Sequence, residues 1–458
     1  MKRVNVEHVA EKLVEAVSRC EQAVPRLNFT ASQNGRLVSI PHALVVQDAL
    51  EDEYFVSSIR AGESGPVCNL GLWTSSAHGE QLDTERIPEC ITADSAVMDT
   101  RKRSLVKCIN NEKHCVLSYY KQVQSEAEWE KWRSETFRLN SLHHLVGIYE
   151  HADTDELEKD GSEDCVPVLH LIQVNTHQQS QPPSCPSVPL GETCVKLKEF
   201  LLQVFNGDLR AAEALMMFLV AKPSLRVNGL VDSLFIGKLC LNLRVADSSA
   251  IASLLQLLKL LRGRVTGPIE ISNANESFNT IPLYPKLNVD SGLLSLSPLQ
   301  QPDGTVLLID ETGLNAGEFK GQAVQNLQSL IDLIQHQQIP LDFAFQQVLI
   351  KVDVPVLIVS LQGKSILPSD LSLPCGQVTL PETNAAEVTQ FQDYLAYCRS
   401  AVTCHVEESM AAQLEQEYVE LRKERGTAFD EQSFHRLINL ARLRAVASGS
   451  STLSASCW

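Results

Sequence analysis

Apolar residues recur along this chain with two different periods, and the change of period divides it. Residues 5–24 carry Val6, Val9, Leu13, Ala16 and Val17 at helical spacing and halt at Pro25, which predicts an amphipathic helix. Beyond it the alternation shortens to every second residue in Arg36–Pro41, His42–Asp48 and Glu53–Ile59, three predicted strands, with Asn34-Gly35 as a hairpin signal. A polar stretch from about Ser75 to Arg103 has no period and reads as a mobile insertion. Strands resume at Cys115–Tyr120, Leu145–Tyr149 and Val166–Val174. An acidic loop, Asp153–Asp164, separates the last two and sets seven carboxylates against Lys159. Short strands with polar insertions fit a small β-barrel better than a parallel sheet.

A linker of Gln, Pro and Ser, roughly His177–Pro189, closes this region. The pattern then changes. Lys196–Phe205 is an apolar helix ended by Asn206-Gly207, and Asp208 is placed to cap the next helix, Leu209–Ala221. Strands at Leu239–Arg244, Pro268–Ile271, Leu293–Leu296, Thr305–Ile309 and Val354–Ser360 alternate with helices at Ser248–Leu261 and Gln322–Gln337, an α/β signature. After Pro381 the chain is helical and polar, and Phe434, Leu437, Ile438, Ala441 and Ala445 line one face of its last helix.

At 458 residues the chain is too long for one ordinary core. Its 39 Lys and Arg stand against 56 Asp and Glu, a formal charge of −17, the wrong sign for a protein whose main task is gripping nucleic-acid phosphates. No apolar run spans a bilayer and no signal-peptide core follows Met1, so a soluble intracellular protein is expected, with no membrane contact. Thirteen cysteines are scattered without a CxxC pair, which fits a reducing compartment. Cys398, Cys404 and His405 are the nearest approach to a ligand cluster, and no metal site is expected from them.

Three segments in order carry a resemblance: Thr305–Thr312 with the helix that ends before Pro340; Val356–Asp370; and Glu417–Lys423 followed by Phe434–Arg442 and Ser450–Ser454. With Gly207–Glu213 and Gly237–Leu243 they resemble the minichromosome maintenance (MCM) complex-binding protein family, and more distantly the MCM helicase subunits themselves. The resemblance implies an α/β plus β fold: an N-terminal OB-like β-barrel, then a degenerate AAA+-like (MCM-like) α/β domain and a C-terminal helical lid. The corresponding boundaries are a helix over 1–30, the barrel over 31–176, a linker over 177–190, the α/β domain over 191–380 and the lid over 381–458.

Each catalytic part of such an ATPase can be checked against its chemistry. A P-loop needs glycines whose amides approach phosphate, then Lys and Ser or Thr at a helix start. Here Arg244–Ala250 offers neither glycine nor lysine, Asp247 puts negative charge where phosphate would sit, and Ser248 or Ser249 reads as a helix cap. Asp310 and Glu311 are Walker-B-like, yet without a triphosphate cradle they have nothing to act on and read as a cap or polar anchor at a strand end. The sensor position falls near Leu361-Gln362, and the arginine-finger position meets Ser369-Asp370-Leu371. No catalytic residue, cofactor or metal is expected, and the domain reads as a pseudo-ATPase.

Tyr119, Tyr120, Trp129 and Trp132 are candidates for stacking single-stranded DNA on the barrel. Glu126, Glu128 and Glu130 interleave with the tryptophans, whose helical spacing fits core or interface better, so no strong direct DNA binding is expected. Arg101-Lys102-Arg103, with Lys107, matches a short nuclear import signal, a pattern that also arises by chance. The family resemblance implies a non-catalytic nuclear protein that binds MCM subunits, reaches chromatin through them, helps assemble or chaperone them, promotes their removal in late S phase and contributes to sister chromatid cohesion. An OB-type single-strand-binding factor and an active nucleotide-dependent enzyme are the alternatives.

Overall fold

A computed structural model describes residues 25–28, 30–33, 36–47, 53–60, 67–69, 96–108, 113–119, 126–150, 167–176, 189–223, 225–228, 233–289, 293–295, 297–361, 365–426, 431–455 and 457–458. Two compact units emerge, Met1–His177 with Leu287–Leu296, and Gln178–Lys286 with Ser297–Trp458. The expected helix at 5–24, the Asn34-Gly35 turn, the acidic loop at 153–164 and most of the linker lie outside the described residues.

In the first unit, strands β1 (Leu37–Gln47), β2 (Glu53–Arg60), β3 (Val67–Asn69), β4 (Ala96–Cys108) and β5 (Lys113–Tyr119) precede helix α1 (Glu126–Thr136), with β6 (Leu142–Glu150) and β7 (Val168–Thr176) after it. Five of these strands close on themselves, β1-β6-β7-β5-β4 and back to β1, while β2 and β3 extend outward from β4. Every pairing around the ring is antiparallel except β5 with β7. Closure removes free edges, and that is how short strands of this kind become stable.

The two strands expected at Arg36–Pro41 and His42–Asp48 are one strand with a register shift between Ile40 and Ala43 against β6. Pro41 sits inside that irregularity, where its missing N–H costs no ladder bond. The extra residue also flips the inward parity, so Val38 and Ile40 before it and Ala43 and Val45 after it all join one core. Gly147 on β6 is required by close approach, because a Cβ there would run into the carbonyl oxygen of His170 on β7. The polar insertion expected to run to Arg103 ends sooner, since β4 begins at Ala96.

In the second unit, α2 (Leu190–Val204) and α3 (Leu209–Val220) are separated by Asn206-Gly207, and the Asp208 carboxylate accepts the Arg210 and Ala211 amides as its expected cap. A hairpin, β8 (Leu225–Asn228) and β9 (Ser233–Ile236), leads to β10 (Leu241–Val245), α4 (Ser249–Arg262), β11 (Val265–Glu270) and α5 (Glu276–Thr280). The strand expected at Leu293–Leu296 is only the second half of a two-residue pairing, β12 (Leu287–Asn288) with β13 (Leu293–Leu294), which is grouped with the first unit and takes no part in the main sheet of the second. Then follow β14 (Val306–Asp310), α6 (Gln322–His336), the hairpin β15 (Gln338–Asp342) and β16 (Gln347–Lys351), β17 (Val356–Leu361), β18 (Leu371–Pro374), α7 (Ala385–Ala401), α8 (Glu408–Arg425) and α9 (Glu431–Ala447).

The main sheet runs β11-β14-β17-β10-β18, and every neighbouring pair is parallel. Its strands alternate between two cores. Val306 and Leu308 of β14 and Leu357 and Val359 of β17 face a cluster shared with α2, α3, α4 and α7. Leu307, Ile309, Val356 and Ile358 face the other, completed by Ala323, Leu330, Leu333 and Ile334 of α6. A parallel sheet buried on both faces accounts for the unbroken apolar runs of these strands. Asn326 of α6, fully buried, meets all its hydrogen-bonding capacity: Oδ1 accepts the Leu283 amide and the Gln322 side-chain amide, and Nδ2 donates to the Phe278 and Ile281 carbonyls.

Candidate functional site

In open parallel sheets, ligands gather outside the carboxyl ends of the strands where the strand order reverses. Here that point lies between β10, followed by β11 at one edge, and β17, followed by β18 at the other. The structure shows how each residue standing at a catalytic position of such an ATPase is used.

The β10–α4 connection is residues 246–248 only. A phosphate cradle needs a longer loop whose successive amides turn inward. In its place, Oδ1 of Asp247 accepts the Ser249 amide at 2.8 Å and takes the Ser249 hydroxyl as well. Those hydrogen bonds hold the Asp247 carboxyl below its usual range. Neither serine is the cap expected from the sequence: Ser248 makes no capping bond, and Ser249 donates to Asp247. An Asp whose side chain reaches the backbone two residues on is an Asx-turn, and the Asp-Ser-Ser run carries that signal.

Asp310 ends β14 beside Glu270 of β11. Its Oδ1 accepts both the amide and the hydroxyl of Thr312 at 2.7 Å. Glu311 is only 3% exposed. Its amide donates to the Val359 carbonyl of β17, and its Oε1 accepts the Leu367 amide at 3.2 Å. Burial pushes the Glu311 carboxyl above its ordinary range, while Ser365 and the amides of Leu367 and Ile366 pull against that and the Asp310 charge adds to it. The arrangement fastens the 365–367 turn to the end of β14. The Ser365 hydroxyl, which donates to the Leu367 carbonyl, belongs to the same knot and had no signal in the sequence beyond its place before a proline-containing turn.

At the finger position, Asp370 points away from this edge. It accepts the Cys240 amide at 2.7 Å and pairs with Lys238 at 3.3 Å, at the amino end of β10. The nine residues 362–370 that join β17 to β18 are too few for a helical crossover. At the sensor position Leu361 is exposed, and Gln362 lies outside the described residues. The preceding Ser360 donates to Asn242 of β10 at 2.9 Å in a buried polar pair.

Tyr119 and Trp132 pack against Phe137. Tyr119 is 3% exposed, with its ring centroid 4.6 Å from Phe137 and 6.1 Å from Trp132 of α1, and Trp132 meets Phe137 edge-on at 5.7 Å. Trp132 therefore packs as its helical spacing predicts. Tyr120 and the Trp129 side chain lie outside the described residues. Arg101-Lys102-Arg103 is part of β4, its backbone paired with Glu53 on one side and with Tyr119 and Ser118 on the other.

Cys398 and Cys404 join different cores, and His405 pairs with Thr452 through the backbone. Burial raises the Cys398 thiol to about 12 and Cys404 in the same direction, so both behave as apolar side chains. Among the described residues no group of three or more His, Cys, Asp or Glu is placed to hold a metal ion.

Residues 111–458 match the family model described as Mini-chromosome maintenance replisome factor. Among curated relatives, the Mini-chromosome maintenance complex-binding protein of Salmo salar is 27% identical over 318 residues, covering 64% of this chain and 50% of its own length. That of Arabidopsis thaliana is 27% identical over 446 residues, covering 90% of this chain and 70% of the relative. That of Homo sapiens is 26% identical over 322 residues, covering 64% and 49%. The chain thus spans about half the length of the salmon and human relatives.

Proposed function

The chain belongs to the Mini-chromosome maintenance replisome factor family, and from that premise we propose that it is a non-catalytic binding partner of the MCM replicative helicase. The name of its relatives, Mini-chromosome maintenance complex-binding protein, supports the partner. In this proposal the chain works in the nucleus. It occupies surfaces that helicase subunits offer one another, assists their assembly, promotes their removal from chromatin late in S phase and, through that, contributes to sister chromatid cohesion.

We read the first unit as an OB-like barrel, supported by its five-strand closure with a single parallel contact and a helix between β5 and β6. We read the second as an AAA+-like domain. In its support, β17 stands between β10, where a P-loop strand would be, and β14, which carries the Walker-B-like acids. Helices α7 to α9 take the place of the lid. Asn439 of α9 accepts the Gly237 amide and donates to the Lys238 carbonyl, both at 2.7 Å, which ties the last helix to the entry of β10.

The observation that carries the non-catalytic part is the 246–248 turn. It is too short to cradle a phosphate, and the Asp247 carboxylate already occupies the helix N-terminus that phosphate would use. Without a triphosphate held there, Asp310 and Glu311 have no magnesium to bind, and both accept backbone hydrogen bonds, Asp310 from the neighbouring Thr312 and Glu311 from the distant Leu367. A single-strand-binding role draws no support from Tyr119 and Trp132, whose rings pack on Phe137. The tip of the β15–β16 hairpin, Phe343 to Gln346, carries no Lys or Arg to meet a phosphate backbone, and Lys351 lies at the hairpin's base.

Affinity purification of the tagged chain from dividing cells, with mass spectrometry of what it retains, tests this function. MCM subunits are the expected major partners. Recovery of the chain without them, at a level where it is itself abundant, overturns the proposal.

A further inference from the structure

Three helices of the second unit each turn one stripe of side chains toward a common groove of about 630 Å³. Helix α3 contributes Glu213 and Met217, four apart. Helix α8 contributes Glu417, Glu420, Leu421 and Glu424, and α9 contributes Leu437, Leu440, Ala441 and Arg444, both at the i, i+3, i+4, i+7 spacing that defines one helix face. Cys457 and Trp458 complete the lining.

The floor is apolar and open. Leu437 was expected to point inward with Phe434, Ala441 and Ala445, yet it is 37% exposed while those three are buried. The rim is acidic, and only part of its charge is answered from within. Glu213 is paired with Lys198 at 2.7 Å and Arg444 at 3.5 Å, and Glu417 accepts the Trp458 indole N–H. Glu420 and Glu424 stand one turn apart on the solvent side, exposed, and among the described residues neither has a cation within ion-pair distance.

We propose that this groove docks an amphipathic helix of a partner protein that carries aliphatic side chains along one face and Lys or Arg one turn apart beside them. The sign follows from Glu420 and Glu424, which repel an acidic segment, a nucleic acid or an anionic lipid surface and attract a basic one. The helical form follows from the walls. All three are helices whose backbone groups are internally bonded, so the groove offers no sheet edge, and an extended segment would lay unsatisfied N–H and C=O groups on Leu437 and Leu440. A helix satisfies its own backbone and presents only side chains. The inference holds whichever protein supplies that helix and does not rest on the function proposed above.

The test uses the full chain and a fluorescein-labelled synthetic helix of roughly 18 residues, long enough to be helical on binding, with Leu at i, i+3, i+4 and i+7 and Lys elsewhere. A peptide of the same composition in scrambled order serves as control, and binding is read by fluorescence anisotropy. The expected result is saturable binding, at least about tenfold tighter for the patterned peptide. Glu420→Lys/Glu424→Lys and Leu437→Asp should each weaken it about tenfold, and higher salt should weaken it further. Glu276→Lys/Glu382→Lys, an equal charge change at exposed positions elsewhere, should stay within about twofold of the parent. All substituted positions are exposed, and an unchanged melting profile confirms that each variant is folded. The proposal is overturned if no saturable binding occurs, if the scrambled peptide binds as well, or if the control pair loses as much as the groove pair. Concentration-dependent dimerisation abolished by Leu437→Asp overturns it too, since a second copy would then be the occupant.

Discussion

Glu311 shows how a single acid is turned from chemistry to architecture. Its carboxyl is buried, accepts the Leu367 amide, and is held above its ordinary range chiefly by burial. The folded state therefore keeps this proton at pH values where the unfolded chain has lost it, so stability falls as pH rises from the unfolded value through the folded one. Glu311→Gln keeps an acceptor for the Leu367 amide and has nothing to titrate. Urea midpoints of the two proteins followed from acidic to neutral pH should converge at the acid end, with the variant gaining on the parent as pH rises. A constant difference would mean that Glu311 does not titrate as its surroundings dictate. Asn326 makes a second prediction at this scale. Asn326→Ala removes the side-chain partner of the buried Leu283 amide and of the Phe278 and Ile281 carbonyls, which should cost at least about 2 kcal/mol in denaturant unfolding. A loss below about 0.5 kcal/mol would mean that water replaces the side chain.

At the level of elements, the β15–β16 hairpin stands out. Phe345 at its tip is fully exposed, Ala344 beside it has φ of 65°, and Val348 and Leu349 on β16 are 40% and 54% exposed. A strand edge of this kind is a surface for other proteins or a site of self-association. Phe345→Ser should leave the unfolding midpoint within about 0.5 kcal/mol, since nothing buried is lost. It should also reduce self-association in sedimentation at high concentration, and an equal loss of stability would show that the tip is packed after all. Neither this hairpin nor β18 was legible beforehand. Their stretches are short and carry Pro340 and Pro374, and tertiary pairing, not periodicity, fixes them as strands. The long buried strands and helices were legible, because β14, β17, α4 and α6 combine strong patterns with clear stops. The strand pair expected on either side of Pro41 fused into one because a bulge carries the proline without ending the ladder.

For the whole molecule, the acids Asp310 and Glu311 were found from the sequence, but what they hold was not. Thr312 and Leu367 reach them through a turn and through a segment more than fifty residues away in the chain, and no local pattern encodes that. The groove of α3, α8 and α9 was hidden for the same reason, since its three stripes come together only in the fold. A chain of this family with the 246–248 turn in place of a phosphate loop should associate with helicase subunits without needing to bind nucleotide itself. The most direct measurement is interferometry of the purified chain against purified MCM subunits, with and without magnesium and ATP, for the parent and for Asp310→Ala/Glu311→Gln. The account predicts saturable binding that the acid substitutions leave unchanged within about twofold under either condition. No binding, or binding that requires ATP and disappears with the acid pair, would contradict it.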